Sequence, residues 1–360
     1  MIRSTKIILI IAAAIVLGGG AIFGIIVFVN WGTFEYSDTY YYQGTPPPVE
    51  SLSLNSDIGA INIKYNSTPT NDIVKIDLDI RIDGGFVAGK SFSDFFNPIV
   101  WVTDSSPITF ELDKKPTTGF IFPIIFDITI DITLRTDIVY DIVALTSTGS
   151  INMQVPQNII LNNTILATST GSIVLIADKD TTVQGDLGIS ASTGSIYLDA
   201  NQVNLTHGLY THTSTGSLTM NFTNCVMGND LTGDVSTGGV TIYSYNMKYT
   251  KDCVWIVGTD TGSIDVEIRQ YIEMDANITG TIGTSTGSID ILYDDSLSTI
   301  GVKFTCATST GSITYTDLGA GGMGRVSGII STDDYDSATN KYTFTVSTST
   351  GSIDVLGQSL

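Results

Sequence analysis

Apolar and polar residues alternate along most of the chain, in short segments that turn at a recurring glycine. The residues two and four places after the glycine are apolar or aromatic in every clear copy, such as Ile151 and Met153 or Ile196 and Leu198, and a mostly polar residue separates them. This alternation predicts a strand with one buried face. The residues seven and five places before the glycine are mostly apolar as well, so a second strand precedes each turn.

The turn itself has the sequence Ser-Thr-Gly-Ser-Ile or a close variant. Its glycines are spaced by 22, 23, 22, 22, 24, 25, 24 and 40 residues, and a weaker copy lies at 56–61. The apolar positions are odd before the glycine and even after it, which predicts a corner whose glycine has positive φ. The same parity places the threonines one and three residues before the glycine in the interior. The corner glycines are Gly149, Gly171, Gly194, Gly216, Gly238, Gly262, Gly287, Gly311 and Gly351.

A repeat of 22–25 residues with two strands cannot bury its own apolar face, whereas stacked repeats can. The sequence therefore predicts an all-β fold, a single-stranded parallel β-helix (β-solenoid), over residues 146–360. An antiparallel sandwich or meander is the alternative, although it does not explain the recurring corner. The gap before Gly351 predicts one further repeat with a degenerate or looped-out motif, around Gly319–Asp336. Residues 51–145 are interpreted as the first repeats with an aromatic insertion that caps the core.

The N-terminal segment predicts a membrane anchor. Residues 7–29 are uncharged, and a helix of that length is about 34 Å long, enough to cross a bilayer core of about 30 Å. Arg3 and Lys6 precede this segment, so we expect residues 1–6 in the cytoplasm and the chain after residue 30 outside the cell. A cleaved signal peptide is the alternative. Residues 30–50 are interpreted as an aromatic and proline-rich linker at the membrane interface.

Composition narrows the function classes. Only 14% of the residues are charged and the formal charge is −20, which argues against nucleic acid as a partner because phosphate binding needs clustered Lys and Arg. Three Cys in 360 residues exclude a disulfide scaffold. Cys306 lies at an inward position, whereas Cys225 and Cys253 could pair. His207 and His212 could form a metal pair or a base, and we interpret them as surface imidazoles.

Two kinds of side chain remain as candidate sites, and no cofactor is expected. Asp265 and Asp290 share one outward position on neighbouring repeats, and Asp354 has the same position further along. Carboxylates on adjacent strands repel each other unless a cation bridges them, so Asp265 and Asp290 are candidate calcium ligands. The alternative is a solvated acidic face with raised pKa values. Sequons for glycosylation, at about the number that chance gives, begin at Asn66, Asn162, Asn204, Asn221 and Asn277.

The Ser-Thr-Gly-Ser-Ile repeats follow an alternating strand that includes Asp-Ile-Val-Tyr-Asp at Asp137–Asp141. This combination resembles a widespread prokaryotic family of adhesin-like, toast-rack-like β-strand repeats, a domain of unknown function. The resemblance covers roughly residues 50–360. It implies a single-stranded parallel β-helix at the cell envelope, and it supplies no catalytic residues.

We therefore expect a membrane-anchored extracellular module, adhesin-like or structural and without catalysis, that binds a surface glycan or a protein. The alternatives are a polysaccharide-active β-helix enzyme and an envelope-stress accessory protein that acts with a membrane partner. Ser352–Leu356 predicts an uncovered strand at the C-terminal end of the solenoid, an edge expected to recruit a second copy or a partner. Ice binding needs outward-facing threonine rows and is not expected, because the parity places them inward.

Overall fold

The computed structural model describes residues 31–45, 47–66, 71–116, 124–295, 297, 299–316, 323–326 and 328–357. The predicted cytoplasmic tail and transmembrane helix, at 1–29, lie outside these ranges. Within them, no helix has the length and apolar character needed to cross a membrane.

The N-terminal part is built from strands and one short helix. Its elements are β1 (Trp31–Gln43), β2 (Val49–Ile58), β3 (Ala60–Asn66), β4 (Asp72–Gly85), α1 (Phe92–Phe95), β5 (Val100–Val102), β6 (Ile108–Leu112), β7 (Ile124–Arg135) and β8 (Val139–Thr148). Strand β4 pairs antiparallel with both β1 and β7, and β2 lies parallel between β6 and β8.

Residues 31–43 are therefore a strand, and the interpretation of 30–50 as a linker is wrong over this range. The aromatic residues of β1 lie mostly at alternate positions, and this period of two directs them to one face of a strand. The ring of Phe34 packs on Phe95 with centroids 5.5 Å apart, and the ring of Tyr36 packs on Phe92 at 4.8 Å. The aromatic residues of 31–43 thus cover the aromatic insertion at 92–101.

The repeats contribute a strand on each side of every corner glycine. Their strands are β9 (Ile151–Val155), β10 (Ile160–Thr170), β11 (Ile173–Ala177), β12 (Thr182–Val183), β13 (Leu187–Thr193), β14 (Ile196–Asn201), β15 (Asn204–Leu205), β16 (Leu209–Thr215), β17 (Leu218–Thr223), β18 (Val226–Met227), β19 (Leu231–Thr237), β20 (Val240–Tyr245), β21 (Lys248–Tyr249), β22 (Cys253–Thr261), β23 (Ile264–Gln270), β24 (Ile278–Thr286) and β25 (Ile289–Asp295).

The C-terminal elements are β26 (Ile300–Thr310), β27 (Ile313–Thr316), β28 (Met323–Val326), β29 (Ile329–Thr332), β30 (Asn340–Thr350) and β31 (Ile353–Gly357). Sheet 1 has the order β1-β4-β7-β3-β9-β11-β14-β17-β20-β23-β25-β31-β27 and contains the strands that follow the corner glycines. The strands that precede the corner glycines belong to sheet 2.

Equivalent strands of successive repeats pair in parallel and in register. Ile173 lies between Ile151 and Ile196, and each of these side chains is buried. The inward-facing residues of both sheets form one hydrophobic cluster that runs the length of the stack. The fold is thus all-β with large parallel sheets, an arrangement compatible with the predicted β-solenoid.

Each of the nine corner glycines has a φ between 137° and 153°, and Gly59 of the weaker copy has 117°. The glycines stack so closely that a Cβ built on Gly149 would lie 1.9 Å from the carbonyl oxygen of Gly59. Thr168, three residues before its glycine, is buried and donates a hydrogen bond to the carbonyl of Gly149 at 2.9 Å.

The threonine one residue before each glycine is exposed, so the expectation that both threonines face inward is wrong at this position. In most repeats, the last buried residue before the corner is therefore the one three residues before the glycine. Where that residue is a threonine, such as Thr168 or Thr213, its hydroxyl donates to the carbonyl of a corner glycine. The exposed threonines are Thr148, Thr170, Thr193, Thr215, Thr237, Thr261, Thr286, Thr310 and Thr350.

Strands β30 and β31 are inserted into the stack. β30 lies between β24 and β26, and β31 lies between β25 and β27. The predicted degenerate repeat before Gly351 is wrong, because β28 and β29 form an antiparallel hairpin on β26 instead. The predicted open edge at Ser352–Leu356 is wrong too, since β31 has a partner on both sides and Val355 is fully buried.

Candidate functional site

The corners form a ridge of hydroxyl groups along the molecule. Thr170, Thr193 and Thr215 are in register on adjacent strands, and the same pairing continues through the stack. The parity argument against ice binding therefore fails for this row. The neighbouring threonine row is buried with its hydroxyls bonded to glycine carbonyls, so a single exposed row remains rather than a flat face of two.

Insertion of β31 brings three carboxylates together on adjacent strands. Asp290 pairs with Asp265 on one side and with Asp354 on the other. Burial, followed by the charges of Asp265 and Asp354, raises the pKa of Asp290. Among the described residues, no group of three or more His, Cys, Asp or Glu side chains is arranged to hold a metal ion. Calcium binding by Asp265 and Asp290 stays a prediction.

His212 lies between an acid and a hydroxyl. Its Nδ1 is 3.0 Å from Oδ2 of Asp234, and its Nε2 is 3.4 Å from Oγ of Ser214. The side chains of His212 and Asp234 are 46% and 55% exposed, so water hydrates both. His207, also exposed, lies 3.0 Å from the Thr206 hydroxyl.

The cysteines are buried and unpaired. Cys225 and Cys253, which could have paired, carry free thiols, as does Cys306. Burial raises the pKa of each thiol to about 11. The Cys225 thiol donates a hydrogen bond to the carbonyl of Ala200 at 3.1 Å.

The asparagines of the sequons differ in the hydrogen bonds that their side-chain amides make. Asn162 donates to Asp141 at 2.8 Å, and Asn221 donates to the Tyr197 hydroxyl at 3.0 Å. Asn277 accepts from the backbone of Lys341, and Asn66 ends β3. Asn204 is half-buried and begins the two-residue strand β15.

A second corner, which the sequence analysis missed, recurs every 22 residues. Its residues are not glycines, yet each has a φ between 51° and 63°. A series of Asn, Asp and Gln at a constant spacing was the available signal, because Asn and Asp adopt this left-handed conformation more easily than other residues. The five residues are Asn158, Asp180, Gln202, Asn224 and Asn246.

Beside this corner lies a shallow groove of about 500 Å³. We call it the amide groove, and it crosses three repeats. Its lining residues are Asp180, Thr181, Thr182, Gln202, Val203, Asn204, Asn224 and Val226.

The outer face of sheet 2 carries an exposed apolar row. Ile165, Tyr210 and Ile256 are 46%, 49% and 51% exposed. They occupy one register position across five strands, together with Gly188 and Thr232. We call Ile165, Tyr210 and Ile256 the apolar row.

Comparison with known proteins finds no matching family model and no matching curated protein. The chain is similar to a solved structure named a "putative cell adhesion protein" from Clostridium sporogenes ATCC 15579, with 12% identity and a TM-score of 0.21 over 90% of this chain and 100% of that one. It is also similar to a "putative adhesin" from Bacteroides fragilis NCTC 9343, with 10% identity and a TM-score of 0.34 over 89% of this chain and 97% of that one. Both names agree with the adhesin-like family that the repeat motif resembles. At these scores neither structure carries an argument about function.

Proposed function

We propose that the protein is an adhesin-like surface module, a β-solenoid that is anchored in the cell membrane by residues 7–29 and binds its ligand outside the cell without catalysis. The apolar row carries this proposal. Its large side chains lie on every second strand of one exposed sheet face. Exposed apolar side chains grouped on one face commonly mark an interaction surface.

The geometry of the apolar row suits contact with a flat partner. Gly188 lies between Ile165 and Tyr210 and leaves the sheet surface open between their side chains. A Cβ built on Gly208 would lie 2.6 Å from the Tyr210 hydroxyl, so the ring lies along its own strand rather than standing away from it. A half-exposed aromatic ring held in this way offers one face to a ligand.

The polysaccharide-active enzyme is a weaker candidate. A cavity of about 220 Å³ on the outer face of sheet 1 does bring together Glu35, Asp79, Arg81 and Asp127. Arg81, however, is paired with Asp83 at 2.9 Å and with Glu35 at 3.6 Å. Its charge is therefore committed to neighbouring carboxylates rather than to a substrate.

The test displays the full chain on non-adherent cells and measures their attachment to polystyrene, collagen-coated and cellulose-coated surfaces. Display should increase attachment to at least one surface, and the double variant Tyr210→Ser/Ile256→Ser should lose that increase. Leu356→Ser is the matched control, because Leu356 is 43% exposed on the opposite sheet. Attachment equal to that of cells without the protein on all three surfaces would refute the proposal.

A further inference from the structure

The amide groove is bounded by two parallel rows of side chains. One row consists of Asp180, Gln202 and Asn224, all exposed at the left-handed corner. Thr182, Asn204 and Val226 form the other row, two residues further along each repeat, and they pair in parallel register. Each row therefore presents one side chain per repeat, at the strand spacing of about 4.8 Å.

The floor between the two rows is closed. The intervening residues Thr181, Val203 and Cys225 are at most 1% exposed. A ligand in the groove would thus contact the two rows of side chains without entering the core. The volume of about 500 Å³ falls within the range of small-molecule and cofactor sites, about 300–1,000 Å³.

The polar groups in the groove are available to a ligand. Within the described part of the chain, the side-chain amides of Gln202, Asn204 and Asn224 make no hydrogen bond to another protein group. An amide offers both donors and an acceptor, so it can bond a hydroxyl in either sense. Gln202 and Asn204 lie in one repeat and Asn224 lies in the next, so the three side-chain amides can bond several hydroxyl groups of one ligand.

Charge excludes an anionic ligand. The lining contains no Lys or Arg. Its acidic residue is Asp180, whose Oδ2 lies 3.9 Å from Nζ of Lys179, a residue outside the lining. The whole chain carries a formal charge of −20. Acidic polysaccharides and nucleic acids would therefore be repelled rather than held.

Periodicity separates a polysaccharide from a peptide. An extended peptide advances about 3.3 Å per residue, so neither successive nor alternate residues match rows spaced by about 4.8 Å. An extended polysaccharide advances one sugar unit over nearly the strand spacing. From these observations we infer that the amide groove binds a neutral, linear polysaccharide, with about one sugar unit opposite each repeat. This inference deepens the proposed function by naming a ligand class, and it concerns a surface separate from the apolar row.

The experiment measures binding of the full chain to cellohexaose and chitohexaose by titration calorimetry, with polygalacturonate as the anionic comparison. Asn224→Gly removes one amide from the groove and keeps the corner, because glycine adopts positive φ without strain. We expect it to weaken binding about tenfold. Asn158→Gly is the matched control, since Asn158 occupies the same type of corner one repeat outside the groove, and it should bind as the unaltered protein does.

Chemical denaturation of both variants checks that they remain folded, so that a loss of affinity can be assigned to the missing amide. No binding to either neutral oligosaccharide would overturn the inference, and so would equal affinities of the two variants. Tighter binding of polygalacturonate would overturn the assignment of a neutral ligand. An intact mass that includes a glycan on Asn204 would show that the groove holds the protein's own sugar. Each of these results leaves the attachment test of the apolar row unaffected.

Discussion

Gly194→Ala is the sharpest test of how the corners hold the repeats together. Gly194 has a φ of 140°, and a residue with a side chain is strained there by about 1–3 kcal/mol. The new Cβ would also lie 1.9 Å from the carbonyl oxygen of Gly171. Because that oxygen is backbone, two neighbouring repeats would have to separate locally.

The hydrogen bonds at the corner give the second part of the cost. The backbone N–H of Gly194 donates to the carbonyl of Thr215 at 2.8 Å, and that of Gly171 donates to Thr193 at 2.8 Å. Each bond contributes about 1 kcal/mol. With the strain, Gly194→Ala should lower the free energy of unfolding by about 3–5 kcal/mol.

Gly188→Ala is the control, and it lies in β13, the strand that leads into the corner. A Cβ on Gly188 would meet its nearest neighbour at 3.9 Å, an ordinary contact, so this change should alter stability by no more than about 1 kcal/mol. Guanidinium unfolding of the full chain, followed by far-ultraviolet circular dichroism, measures both variants. Equal midpoints for Gly194→Ala and Gly188→Ala would refute the stacked-corner argument.

Four further outcomes are expected. Thr168→Val should lower the free energy of unfolding by about 1 kcal/mol, because it removes the hydrogen bond to the Gly149 carbonyl. Ala191→Thr, at the equivalent position, should raise the free energy of unfolding by a similar amount. Unchanged unfolding midpoints in both variants would contradict the role of this hydroxyl. The pKa of Asp290 is raised above 3.8 in the folded protein, so its ionisation opposes folding; Asp290→Asn should stabilise the protein at pH 7, with a gain that shrinks as the pH falls through the folded pKa and vanishes below the unfolded one. Added calcium should raise the unfolding midpoint of the unaltered protein but not that of Asp290→Asn. The three thiols should react with a thiol reagent at pH 8 only after unfolding, because burial raises the pKa of each to about 11, and fast labelling of the native protein would contradict their burial; they are Cys225, Cys253 and Cys306.

The repeat pattern predicted much of the fold because strand periodicity and corner glycines are local signals. For example, the apolar positions are odd before Gly194 and even after it, and this change is visible in the local sequence and indicates a corner. The same parity failed for Thr193, since it extended strand alternation into residues where the chain is already turning. Residues 31–43 were misassigned because an aromatic segment after an apolar run fits a membrane interface as well as it fits a strand.

The order in which the C-terminal strands stack could not be predicted from the repeat sequences. The strand Ile353–Gly357 has the same alternation as Ile313–Thr316, so either can stack on β25. Which one does so depends on where the intervening hairpin folds, and this is a tertiary property. The side-by-side position of Asp290 and Asp354 follows from that choice and was therefore predicted only as a shared offset. The amide groove was missed because its residues lack the glycine that identified the first corner.

The insertion of β30 and β31 has a consequence for biosynthesis. The ribosome makes β26 and β27 first, yet both strands reach their places in the stack only across β30 and β31. Vectorial folding can add one repeat to the previous one as far as β24 and β25, and there it must wait. Strands β30 and β31 then pair with β24 and β25, which joins residues that are separated by about sixty positions in the sequence. Such late, non-local pairing is a slow kind of step in the folding of β proteins. Because β30 and β31 each have a partner strand on both sides, releasing them breaks the pairing with two repeats.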